Sequence, residues 1–246
     1  MSPPSAASFP RPVLAVLPAH NEATTVADVL TRLVACTQAD CVVVSDASTD
    51  HTAREARAVG AQVIELSQQI GAWGATQTGF RFARRHGYEF VVTLDADGQH
   101  EPESVPALLA AQQQIGADVV VGTYPERLSG PKRLAWAWFR AITGLGVEDL
   151  TSGLRVYGPR ALQVLASAEA TLLDYQDVGV LLLLRKYGLS VHEVPVTMHP
   201  RSVGQSRVFS SWWTVARYMA QTTLLCIARI GRFGGPRPMP ASHFSQ

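Results

Sequence analysis

The sequence predicts an α/β protein with a mostly parallel central sheet flanked by helices, and three observations carry that expectation. Apolar runs of strand length recur at Val13–Leu17, Cys41–Val44, Ala61–Leu66, Phe90–Leu94 and Asp118–Gly122. Stretches with apolar residues at helical spacing separate several of them, as at Val26, Val29, Leu30 and Leu33. Several runs end abruptly in polar residues. Strand and helix alternating over this length imply parallel strands joined by right-handed crossovers.

Taken in order, Val13–Leu17 ends at Pro18-Ala19-His20-Asn21-Glu22 and is followed by the first helix. Cys41–Val44 repeats the unit, ending in Ser45-Asp46-Ala47-Ser48-Thr49-Asp50 before a helix that carries Arg54 and Arg57. After the third run, the glycine-rich stretch Gly71 to Gly79 leads into a helix through Phe82 and His86. The fourth run ends in Asp95-Ala96-Asp97-Gly98-Gln99-His100-Glu101, and Pro102 opens the next helix. Beyond Gly122, Thr151 to Tyr157 reads as a turn into a short strand. Leu181 to Leu184 reads as the middle of a buried helix, and Ser190 to Val196 as a late strand.

The chain of 246 residues is long enough for one domain with a tail, and its net charge of +1, without a basic stripe, argues against a nucleic-acid partner. Cys36, Cys41 and Cys226 have no metal-binding spacing and suit a reduced cytosolic setting. Met1 to Pro12 is rich in Pro and Ser, without a charged leader or apolar core, and reads as a disordered lead-in. The expected organisation is a lead-in over 1–12, a catalytic domain over 13–207, an amphipathic membrane-associated helix over 208–231 and a flexible tail over 232–246.

Asp95, Asp97 and Gln99 are the chemical centre of this pattern. In a parallel sheet, ligands bind just beyond the carboxyl ends of the strands, where these residues would stand. Two carboxylates and an amide oxygen at alternate positions form a hard donor set suited to Mg²⁺ or Mn²⁺, which typically bridges to substrate phosphates. The plainer alternative is a solvated loop whose acids cap the Pro102 helix.

Two later stretches have the make-up of membrane-surface helices, the first of them equally that of a helix packed on the domain. From Arg127 to Leu150, Lys132, Arg133 and Arg140 interleave with Leu134, Trp136, Trp138, Phe139, Ile142 and Leu145, so a helix here either packs on the domain or meets a membrane surface. Val208 to Ile230 is long enough to span a bilayer, but Arg217 near its centre costs about 2.5–3.5 kcal/mol on insertion scales. Phe209, Trp212, Trp213, Ala216, Ala220 and Ile227 fall on one face, which favours a helix lying in the interface.

Together with Ser152-Gly153-Leu154-Arg155 and the polar loop from Arg201 to Arg207, the motifs at the strand ends resemble glycosyltransferase family 2, in particular its dolichyl-phosphate mannosyltransferases and other polyprenyl-phosphate glycosyltransferases. The resemblance covers roughly residues 13 to 207. It implies a GT-A fold and an inverting, metal-dependent transfer of a sugar from a nucleotide diphosphate donor, of the GDP-mannose or UDP-glucose type, to a polyprenyl phosphate. Carried over by position, it implies that Pro18, Ala19, Glu22 and Asp46 hold the base and ribose, with Asp95 and Ala96 completing the donor site. Asp95, Asp97 and Gln99 would take the metal, with Asp97 also catalytic, and Arg155 would line the active centre. Arg201, Ser206 and Arg207 would close a loop over the pyrophosphate, where the guanidinium fork suits phosphate oxygens. The enzyme is expected in the cytoplasm, peripheral on the inner membrane face, with a small membrane partner protein as a further possibility.

Four positions depart from the family pattern: Ser45 replaces an acid, His20 an aromatic Tyr, Trp73 a small residue, and Tyr124 a frequent Arg. They bear on donor identity rather than reaction class. A soluble transferase acting on a glycan or small-molecule hydroxyl is the enzymatic alternative, and there Asp149 is the nearest candidate base. A non-catalytic nucleotide-binding subunit is another. A dinucleotide-binding dehydrogenase is disfavoured because no Gly-x-Gly-x-x-Gly follows the first strand. Individually, Arg155 and Arg207 also read as solvated ion-pair partners, Asp149 as a helix cap, His20 as a satisfied polar side chain and the glycines as backbone necessities.

Overall fold

The computed structural model describes residues 12–124, 137–138, 140–141, 146–149, 152–173, 178–197, 223 and 238–240. Seven strands, β1 (Val13–Ala19), β2 (Asp40–Ser45), β3 (Gln62–Glu65), β4 (Phe90–Thr93), β5 (Val119–Thr123), β6 (Arg155–Tyr157) and β7 (Val191–Pro195), form one sheet in the order β3-β2-β1-β4-β6-β5-β7. All neighbouring pairs are parallel except those of β6, which runs antiparallel to both β4 and β5. The mostly parallel sheet is therefore mixed at one strand. Of the expected lead-in only Pro12 is described, its carbonyl accepting from the Glu89 and Phe90 N–H groups.

Helices cover both faces. Leu14 and Val16 of β1 join one apolar cluster, while Ala15 and Leu17 join the other, as the two-residue period of a strand requires. Behind the first face lie α3 (Gly71–Arg85), α5 (Pro159–Leu165) and α6 (Val178–Lys186). Behind the second lie α1 (Val26–Cys36), α2 (Thr52–Ala58) and α4 (Val105–Ile115). Burial on both sides explains why the middles of β1, β2 and β4 are continuously apolar rather than alternating. Helix α5 has no counterpart in the sequence expectations.

The glycine-rich stretch is not a loop before α3 but its first half. Gly79 is required by packing, since a Cβ there would stand 2.2 Å from Val16 Cγ1. The helix thus lies directly on β1. Trp73 turns inward, stacking edge-on against Phe80 with its indole N–H donating to Ala170 O at 2.8 Å, so its bulk fills the core.

Candidate functional site

A cleft of about 370 Å³ opens at the carboxyl ends of β1, β2 and β4, beside the start of α3. Of the residues singled out from sequence, Pro18, Ala19, Glu22, Asp46, Asp95, Ala96 and Asp97 line it. His20, Gln69, Gly71, Ala72 and Ala75 complete the wall. Adjacent parallel strands end at one edge, so motifs far apart in sequence meet there.

The loops after β1 and β2 are latched to each other. His20 Nδ1–H donates to Asp46 O at 2.7 Å, which leaves Nε2 as an acceptor. Asn21, at φ +58°, accepts the Thr49 N–H through Oδ1 at 2.8 Å, and the Glu22 N–H donates to Thr52 Oγ1 at 2.8 Å. Asp50 takes N–H bonds from Ala23 and Thr52. Burial alone would raise the Asp50 carboxyl, but hydrogen bonds from Thr52 and Ala23 outweigh it and hold its pKa below the usual value. The sequence motif included Asp50 without a role and stopped short of Thr52, although an Asx turn before a helix was a usable signal.

Asp46 is buried, and its two carboxylate oxygens accept the Ile70 and Gly71 N–H groups at 2.8 and 2.9 Å, at the positive end of α3. Each oxygen keeps a lone pair that a ligand hydroxyl can use. Ser45, where the family pattern has a second acid, is buried and bonded to Ser48 Oγ at 3.0 Å.

The two acids beyond β4 do not cap the helix that follows, whose first turn has no side-chain cap. Asp95 keeps 44% of its side chain exposed. Asp97 instead closes its own turn, accepting the Gln99 N–H at 3.0 Å. The Gln99 side chain donates its amide nitrogen to Asp97 and is not among the residues lining the cleft. Gly98, at φ +76°, folds the chain back and brings Gln99 onto Asp97.

Because β6 runs antiparallel, its preceding turn lies at the same lip. A Cβ on Gly153 would stand 2.6 Å from Asp95 Oδ2, so any larger residue would make that carboxylate shift. Thr93 Oγ1–H fixes the turn by donating to Gly153 O at 2.8 Å. Arg155 is 0% exposed, with Nε–H donating to Ser152 O at 2.8 Å, and does not line the cleft. It is therefore not a solvated ion-pair partner.

Asp149 is 2% exposed, and its N–H, like that of Glu148, donates to the Glu193 carboxylate of β7. Glu193 was read only as part of a strand, because its partners are 45 and 44 residues away. Arg201, Ser206, Arg207 and all of 208–231 except Thr223 lie outside the described residues, as does most of 127–150. Within the latter, Trp138 is 53% exposed. Among the described residues no helix is long and apolar enough to cross a membrane.

Among the described residues no cluster of three or more His, Cys, Asp or Glu side chains is arranged to hold a metal. The donors present are nevertheless hard oxygens, the kind that Mg²⁺ and Mn²⁺ take. Asp95 and Asp97 share the cleft, and a glycine cradle leaves space for one of the carboxylates. Such a site fits an ion whose remaining ligands are water and substrate phosphate.

The family model described as glycosyl transferase family 2 matches residues 14–166. The undecaprenyl-phosphate mannosyltransferase of Micrococcus luteus is 32% identical over 216 residues, covering 80% of this chain and 87% of that protein. The polyprenol monophosphomannose synthase of Mycolicibacterium smegmatis is 29% identical over 216 residues, covering 80% and 81%. Among solved structures, glucosyl-3-phosphoglycerate synthase from Mycobacterium tuberculosis in complex with uridine diphosphate superposes with a TM-score of 0.68 at 22% identity, covering 95% of this chain and 82% of that one. This last likeness shows the fold, which is GT-A-like.

Proposed function

The chain belongs to glycosyl transferase family 2 and is a glycosyltransferase, and on that premise we propose that it moves a sugar from a nucleotide diphosphate donor to a polyprenyl phosphate at a membrane surface. The observation that carries this reading is the convergence of Asp46, Asp95 and Asp97 in one cleft. The acceptor comes from the mannosyltransferase relatives, whose names specify undecaprenyl phosphate and polyprenol.

Pro18, Ala19, Glu22 and Asp46 bind the nucleoside in this scheme, with Asp46 accepting from ribose hydroxyls. Asp95 and Asp97 would hold Mg²⁺ or Mn²⁺, with Gln99 joining only if its amide turns. A bound cation supplies charge neutralisation to the diphosphate. Arg201 and Arg207 pair with diphosphate oxygens as the donor bond breaks, with Ser206 in the same loop. The acceptor phosphate, with a second pKa near ~6, arrives as an anion and attacks the anomeric carbon from the opposite side, inverting it. No proton needs to be removed, which agrees with Asp149 being buried. Arg155 supports the floor of the site from within the sheet.

The 208–231 helix is proposed to lie in the interface of the cytoplasmic leaflet, with or without a small membrane partner protein. The decisive experiment incubates purified protein with radiolabelled UDP and GDP sugars, polyprenyl phosphate and Mg²⁺ or Mn²⁺. Lipid-extractable label that disappears with EDTA is expected. Label that passes only to a water-soluble hydroxyl acceptor would favour the glycan alternative.

A further inference from the structure

Asp95 touches two groups that the transfer scheme leaves unused. On one side its carboxylate rests against Gly153. On the other, His100 Nε2 lies 3.4 Å from Asp95 Oδ2, and the imidazole is 1% exposed. His100 Nδ1 is buried without a hydrogen-bond partner among the described residues. A polar ring buried with one nitrogen unsatisfied is costly, and buried polar atoms are nearly always paired.

We propose that His100 is a positioning residue: its buried imidazole holds Asp95 against Gly153, so that the carboxylate meets a divalent cation already oriented. The unpaired nitrogen fits this role, because the ring is committed by its contact with Asp95 rather than by a full set of bonds. In the tautomer with its proton on Nε2, the ring carries its donor on the nitrogen nearer the carboxylate, and Nδ1 is left as a bare acceptor. Groups that orient a ligand from behind typically change metal affinity 10- to 100-fold when removed. The inference rests on the assignment of Asp95 and Asp97 as cation ligands.

The test measures Mn²⁺ affinity of the full-length protein by electron paramagnetic resonance, with UDP and with GDP present. It compares wild type, Asp97→Ala, His100→Leu, His100→Gln and His100→Asn, and thermal melting without metal reports the fold. His100→Leu should melt normally yet bind Mn²⁺ roughly 10- to 100-fold more weakly. His100→Gln, which can place an amide nitrogen near the lost Nε2, should recover most of that loss, and the shorter Asn should not. If His100→Leu binds as wild type while Asp97→Ala does not, the role of His100 is overturned and the metal assignment stands. If wild type and Asp97→Ala bind alike, the metal assignment falls and this inference with it. Should His100→Leu fail to fold, equal affinity of the Gln and Asn variants overturns the proposal.

Discussion

Strands β1, β2 and β4 run parallel, and each ends at the cleft, where His20 to Glu22, Asp46 and Asp95 to Asp97 follow. Strand β6 runs the other way, so it brings its beginning to the same lip. The parallel half delivers side chains from loops beyond the sheet, where they reach solvent and ligand. The reversed strand delivers residues already entering the sheet, so Ser152, Leu154 and Arg155 are buried and Gly153 contributes backbone. One half presents chemical groups, and the other sets where they stand.

Asp97→Ala tests the parallel half most directly. Losing one of two cation ligands should lower transfer on the order of 10²–10³-fold, comparable to removing a principal electrostatic stabiliser. Circular dichroism should be unchanged, and wild-type turnover by this variant in chelator would break the comparison at its strongest point.

In the reversed half, Arg155→Met should act first on stability. It deletes buried hydrogen bonds and leaves the Ser152 carbonyl without its donor, a loss of about 3 kcal/mol in urea unfolding. A normal unfolding midpoint with abolished turnover would instead make Arg155 a ligand-facing group.

Gly153→Ala sharpens the claim that β6 works through backbone. The added methyl must displace Asp95, and a shift near 1 Å at a reacting site can cost up to about 10²-fold, so kcat/KM should fall between about 10- and 100-fold. Unaltered kinetics would show that the carboxylate has room to move.

Asp149→Asn should cost less than about tenfold with a polyprenyl phosphate, because a general base would contribute roughly 10²–10⁴. A loss in that larger range, with a sugar hydroxyl as the better acceptor, would transfer chemistry to the reversed half.

The smallest effect lies at the opposite end of the parallel strands. Burial pushes the Cys41 thiol up to about 12, and burial with the Asp40 hydrogen bond pushes Tyr88 up to about 12. In each case the native state holds its proton longer than the unfolded chain. The stabilisation is therefore full below the unfolded pKa and is lost as pH rises through about 12. Denaturant midpoints should fall from about pH 9 upward, and Cys41→Ala should flatten part of that slope.

Much of the cleft was legible because its parallel half is written locally. An apolar run followed at once by Asp46, or by Asp95 and Asp97, states both the strand and its polar end, and parallel pairing then aligns those ends. The extension of β1 to Ala19, the helical glycines of α3 and the unexpected α5 were less legible, since each depends on what packs against it.

By itself, the sequence determined the alternation of elements, the sheet edge at which the cleft opens and the acids that line it. Only the tertiary structure decided that β6 is reversed, that Gly153 lies against Asp95, that buried His100 stands beside Asp95, that Glu193 accepts from the Asp149 N–H, and that Gln99 donates to Asp97. The physical reason is range. Periodicity records the burial of a residue within its own segment, whereas strand direction and the partner of a buried polar group are fixed by contacts with segments far away in the chain.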